Sequence, residues 1–147
     1  MDFIDQIKQD MYSSMKSSDK IRTNILRTLL SSLKEKQIEK RDSLNEEEYV
    51  NVIKRLVKQL KEAADTYQKA GRLELAEKET LELNILKEYL PEIFSEEQTL
   101  NLVKEVIAQT SANDLSDMGE VMSAVMQKSK GKVDGGIANR LVKELLQ

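Results

Sequence analysis

Apolar residues recur along this chain at steps of three and four, and a strict two-residue alternation is nowhere sustained, so the pattern predicts helices throughout and no sheet. Phe3, Ile4, Ile7, Met11 and Met15 outline a first helix that gives out in the polar run Lys16-Ser17-Ser18-Asp19. Ile21, Ile25, Leu26, Leu29, Leu30 and Leu33 form the wide stripe of a second, closed by Arg41-Asp42-Ser43. A third starts near Glu46, where three successive glutamates suit the positive end of a helix dipole. Ser43 with Glu46 has the spacing of a capping box, and Asn45 fits equally as the cap. From there Val50, Ile53, Val57, Leu60, Ala64 and Tyr67 trace the seam of a coiled-coil-like packing as far as Lys69. Gly71 supplies a C-cap, and Leu73, Ala76, Thr80, Leu83, Leu86 and Leu90 repeat nearly the same spacing until Pro91 stops the helix. Two long helices joined at Ala70-Gly71-Arg72 read as an antiparallel hairpin.

The cadence shortens after Pro91. Ser95 and Gln98 have the spacing of a second capping box, with Phe94 placed as a staple partner and Leu102, Val103, Val106 and Ile107 as the inward face. Ser116 or Asp117 caps the next helix, whose Met118, Val121, Met122, Val125 and Met126 run up to Gly131. Asp134 opens the last, with Ile137, Leu141, Val142, Leu145 and Leu146. The methionines at 118, 122 and 126 could line an adaptable groove, but at helical spacing they read first as core.

Composition removes much of the available chemistry. The 147 residues contain no cysteine and no histidine. Disulfides, thiol nucleophiles, Cys/His zinc sites, imidazole bases and the Ser-His-Asp triad are all excluded. The glutamate-rich fourth helix lacks the histidines of a di-metal bundle and reads as a solvated face, so no metal site and no cofactor are expected. Neither a Walker loop nor a dinucleotide-binding fingerprint occurs. No apolar run reaches the roughly 18 residues of a membrane span. The start Met1-Asp2-Phe3-Ile4-Asp5 is acidic and lacks the layout of a signal peptide, so the expected location is cytoplasmic, with no membrane partner.

Charge brings in a candidate site. The whole chain has a formal net charge of −3, so a nucleic-acid role needs a local patch. Residues 74–97 carry eight glutamates against Lys78 and Lys87 and would repel a phosphate backbone. Residues 128–143 carry Lys128, Lys130, Lys132, Arg140 and Lys143 against Asp134, a local excess of +4. In Lys130-Gly131-Lys132-Val133-Asp134-Gly135-Gly136 one helix ends and another begins, which places free N–H groups of the last helix beside two lysines. Gly135 and Gly136 would let a bulky anion come close. The plainer alternative is that Gly131 is only a helix cap, the lysines are solvated and Asp134 already caps the last helix. Helix two also has a basic bias, from Lys20, Arg22, Arg27, Lys34, Lys36, Lys40 and Arg41 against Asp19, Glu35 and Glu39, scattered around its axis, which reads first as solvation and second as an extended nucleic-acid track.

The run from Ala64 to Glu79, followed by Tyr89-Leu90-Pro91 and Ser95-Glu96-Glu97, resembles the YqeY family of small bacterial proteins over essentially the whole chain. The closing segment, Met118-Gly119 through Val125-Met126, then Lys130-Gly131-Lys132, Asp134 and Asn139 before Leu141, resembles the tail of GatB, the B subunit of the tRNA-dependent amidotransferase. The resemblance implies an all-α fold: an elongated helical domain with the long hairpin over residues 1–92 and a small three-helix domain over 93–147. It also implies a role connected to tRNA. The relatives' glutamine-dependent carbon–nitrogen ligation is done by a separate cradle that this chain lacks.

Three functions compete. The first is a tRNA-binding module in which Lys128, Lys130, Lys132, Arg140 and Lys143 meet phosphates and Asn139 offers its amide to a base or sugar edge. Gly131, Gly135 and Gly136 would allow backbone approach. The second is an accessory of an amidotransferase or another tRNA-associated protein, with the chemistry supplied in trans. The third is a helical protein-interaction adaptor. No catalytic residue is expected in any of them.

Overall fold

Asp2 accepts a hydrogen bond from the Asp5 amide and starts the first helix of the computed structural model, which describes residues 2–147. Met1, part of the acidic start, lies outside the described residues. Among the described residues there are seven α-helices and one 3-10 turn, and no strand. It divides into two compact units, one running to Leu90 and the other from Pro91 to Gln147.

The first unit contains α1 (Phe3–Lys16), α2 (Lys20–Lys40), α3 (Glu46–Lys69) and α4 (Leu73–Lys87). The corner between α1 and α2 is tight. Ser18 takes a left-handed conformation (φ 60°) and Asp19 caps α2 by accepting the Arg22 amide. Behind the corner the buried hydroxyls of Ser14 and Thr23 lie 2.8 Å apart, and each also reaches a carbonyl, of Met11 and Asp19 respectively. α2 packs on α1, α3 and α4, so Leu26, Leu29 and Leu33 are fully buried, with Ile7, Ile53 and Leu86 closing the core around them.

One of the two caps that the spacing allowed is taken, and one boundary moves. Asn45 caps α3 from an extended backbone, and Glu48 returns the bond to the Asn45 amide. α4 ends at Lys87, three residues before the apolar period does. Glu88, Tyr89 and Leu90 donate to carbonyls three residues back, a 3-10-like tightening that leads into Pro91. The α3–α4 seam also fades toward its tip. Val50 and Ile53 are fully buried, Leu60 and Tyr67 only half, and Leu73 is 64 % exposed.

The second unit packs α5 (Glu96–Thr110), α6 (Met118–Ser129) and α7 (Gly135–Leu146) around a core rich in valine. Ser95 and Gln98 form the reciprocal cap of α5. Ahead of α6, Asp114 caps the 3-10 turn Leu115–Asp117 through the Ser116 amide. Neither Ser116 nor Asp117 caps α6 with its side chain, since the Asp117 carboxylate turns back to the Asn113 amide. Met118, Met122 and Met126 are half-buried against the core, while Val121 and Val125 fill it. No helix among the described residues is long and apolar enough to cross a membrane.

Residues 91–95 are irregular between two helical units. Limited proteolysis is expected to cut there before it cuts α3 or α4. Early cleavage after Leu60 or Leu83 in timed mass spectra would contradict this order.

Candidate nucleic-acid interface

The basic segment lies where α6 turns into α7. α6 stops at Ser129. Lys130 and Gly131 then both adopt left-handed conformations (φ 54° and 77°), and the Gly131 amide reaches back to the Met126 carbonyl at 3.0 Å, a Schellman-type closure. Lys130 accepts this conformation although it has a Cβ, at a cost of about 1 kcal/mol. Gly131 is buried, so it shapes the corner and offers no surface for backbone approach. The corner is fixed from two sides. Val133 inserts into the core without any exposed surface, and the Phe94 amide donates to the Lys132 carbonyl at 2.7 Å. Lys130 is exposed and Lys132 half-buried.

The start of α7 carries its own anion. Asp134 accepts the Ile137 amide at 3.0 Å, placing a carboxylate at the positive end of the helix. A Cβ on Gly136 would lie 3.2 Å from the capping oxygen, whereas one on Gly135 would meet open space. Gly136 therefore leaves room for the cap. An incoming phosphate at this helix end faces a negative charge in place of bare N–H groups.

Further along α7, Gly136, Asn139, Arg140 and Lys143 share the outer side, all exposed. Arg140 is already engaged by Glu96 of α5 and lies 3.9 Å from Glu144. The hydrogen bond to Glu96 raises its pKa above the usual guanidinium value, which keeps it charged under all ordinary conditions. Lys143 makes no ion pair among the described residues. Lys128 points elsewhere, to Gln109 and to Glu105 at 3.6 Å. Glu105 is nine residues from Glu96, about 13 Å along α5. Gly136, Asn139, Arg140 and Lys143 thus share one face of α7, Lys130 and Lys132 lie in the turn that precedes that helix, and Lys128 is engaged by α5.

The cations of α2 sort into two groups that their number alone conceals. Arg22 pairs with Glu88 at 2.9 Å, Lys36 with Glu39 at 3.9 Å and Lys40 with Glu48 at 2.5 Å. Lys20, Arg27 and Lys34 are exposed and make no ion pair among the described residues, and the seventh cation, Arg41, is the left-handed residue that ends the helix. Their equal spacing of seven residues was the available signal.

A family model described as Yqey-like protein matches residues 4–146. A protein of Kluyveromyces lactis named altered inheritance of mitochondria protein 41, mitochondrial, is 31 % identical over 139 residues, which is 91 % of this chain and 70 % of that protein. Its namesake from Eremothecium gossypii is 33 % identical over 90 residues, 60 % of this chain and 49 % of its own length. The chain therefore spans about half of that relative. Both names refer to mitochondria, and neither names a ligand.

Proposed function

The chain belongs to the Yqey-like protein family, and from that membership we propose that it is a helical RNA-binding module that holds tRNA by its second unit and has no active site of its own. The observation that carries the reading is the cationic corner. Lys130 and Lys132 lie in the turn that leads into α7, whose exposed side carries Asn139 and Lys143, in a unit whose remaining charges are mostly acidic. Lysines at such a corner position a phosphate backbone without reading sequence, and Asn139 offers a donor and an acceptor to a sugar or base edge. Arg140 and Lys128 each face a carboxylate, which a phosphate would have to displace. The choice of tRNA among RNAs rests on the likeness of this segment to the amidotransferase tail. In this reading the module works in the cytoplasm, whereas the relatives above are named as mitochondrial.

The test is filter binding of tRNA to the whole chain over a range of salt. Each neutralised phosphate contributes about 0.7 to 0.9 to the slope of log affinity against log salt. The double variant Lys130→Ala/Lys132→Ala should flatten that slope by about 1.4 to 1.8 and leave the helix content unchanged. An unaltered slope would remove the corner from the interface.

A further inference from the structure

Lys20, Arg27 and Lys34 stand seven residues apart on α2. Seven residues fall 20° short of two full turns, so the three side chains drift only about 40° around the axis while rising about 21 Å. Asn24 and Ser31 lie on the same face, each four residues beyond a cation, and all five residues are exposed. The row contains no carboxylate, although Glu35 borders its far end. Asp19, next to Lys20, is occupied in capping α2 and lies 3.7 Å from Arg22. An ordinary solvated face mixes its charges. α3 does so along its exposed side, where Arg55 and Lys58 are followed by Glu62 and Asp65.

We infer that this face of α2 is a second track for the sugar–phosphate backbone of a structured RNA, with Lys20, Arg27 and Lys34 each on a separate, non-adjacent phosphate and Asn24 and Ser31 hydrogen-bonding between them. The spacing decides the class of ligand. Cations about 10.5 Å apart along a rigid helix do not converge on one phosphate, so a free anion or mononucleotide gains little from the row, while a continuous polyanion meets all three. The residue types agree, because Lys, Arg, Asn and Ser are the side chains that hold nucleic-acid backbones. At the start of the row, Lys20, Asn24 and Arg27 line an open hollow of about 360 Å³ together with the capping Asp19 and with Met15, which is 49 % exposed and offers apolar surface to the flat side of a base. This inference rests on the RNA-binding reading above but uses a different unit of the protein.

Two measurements on the whole chain test it. The first compares tRNA binding of the wild type, the tail variant above and the triple variant Lys20→Gln/Arg27→Gln/Lys34→Gln across salt. The triple variant should flatten the slope by about 2.1 to 2.7. The charge-keeping variant Lys20→Arg/Lys34→Arg should not change it. The second measurement needs no variant: bound tRNA should protect Lys20 and Lys34 from amine acylation several-fold more than Lys58 and Lys61 of α3, as read by mass spectrometry. Absence of wild-type binding to tRNA overturns both readings. A slope that responds to the tail variant only, with Lys20 and Lys34 unprotected, overturns the α2 track alone. A triple variant that instead dissolves a salt-sensitive dimer, with RNA binding intact, assigns the face to a second copy of the chain and overturns it as well.

Discussion

Leu86→Ala lowers the unfolding free energy by about 2 to 5 kcal/mol, the range for a fully buried leucine truncated in a core that cannot collapse around the gap. Leu86 has no exposed surface, and it stands where α4 meets α2, among Leu26, Leu29, Leu33 and Ile53. Those neighbours belong to helices clamped by other contacts, so the lost methyl groups leave a cavity. A small protein has only about 5 to 15 kcal/mol to lose. The matching surface change, Leu73→Ala at 64 % exposure, should stay within about 0.5 kcal/mol. Urea titration followed by far-ultraviolet circular dichroism reads both. Equal losses at the two positions would mean that α4 presents a different face to α2.

Tyr89→Phe costs about 1.5 kcal/mol near neutral pH and removes a stability loss that the wild type shows only in alkali. The Tyr89 hydroxyl donates to the Asp10 carboxylate at 2.6 Å, linking the end of α4 to α1, and its ring meets Phe3 edge-on at 6.3 Å. A hydrogen bond to a charged acceptor contributes about 1.5 to 3 kcal/mol, and half-exposure places this one at the low end. Burial, then the bond to Asp10, raises the phenol's pKa well above its ordinary value. A raised pKa in the folded state means that the contribution is complete below about pH 10, where an unfolded tyrosine ionises, and is lost as pH climbs toward the folded value. The difference in stability between wild type and Tyr89→Phe should therefore be flat from pH 6 to 9 and shrink above 10. Lysines titrating in the same range affect both proteins and cancel. A constant difference up to pH 11 would place the hydroxyl in water.

The caps were the most legible part of the sequence. Asp19, the Ser95–Gln98 pair and Gly71 do their local work with neighbours three to five residues away, and the spacing contains all the information needed. The end of α4 was not legible. Leu90 continues the apolar period, but the backbone tightens at Glu88–Leu90 ahead of Pro91, where Tyr89 also bonds a carboxylate 79 residues earlier. Asn45 and Ser43 carried the same spacing signal, and only backbone geometry separates them. The candidate interface divides along the same line. That Lys130 and Lys132 flank a helix corner follows from their order in the chain. That Arg140 is held by a glutamate 44 residues away and Lys128 by one 23 residues away belongs to the packing of α5 against α6 and α7. The α2 row lay between these cases. Its seven-residue period is printed in the sequence, but seven cations counted together conceal which three share a side.

The second unit has six cations and nine carboxylates, and five of those cations fall within sixteen residues. Outside residues 128–143 it holds Lys104 alone against eight carboxylates. The charge is unevenly distributed along the unit, although Lys128 and Arg140 face Glu105 and Glu96, and a nearby polyanion exerts a torque on that uneven charge before contact. At physiological ionic strength the field reaches about 8 Å, so the turning happens in the last step of approach and selects one orientation among many collisions. The acidic remainder pushes away strands arriving from every other side. In the RNA-binding reading proposed above, an overall negative charge is compatible with holding RNA, because it favours encounters on the basic segment.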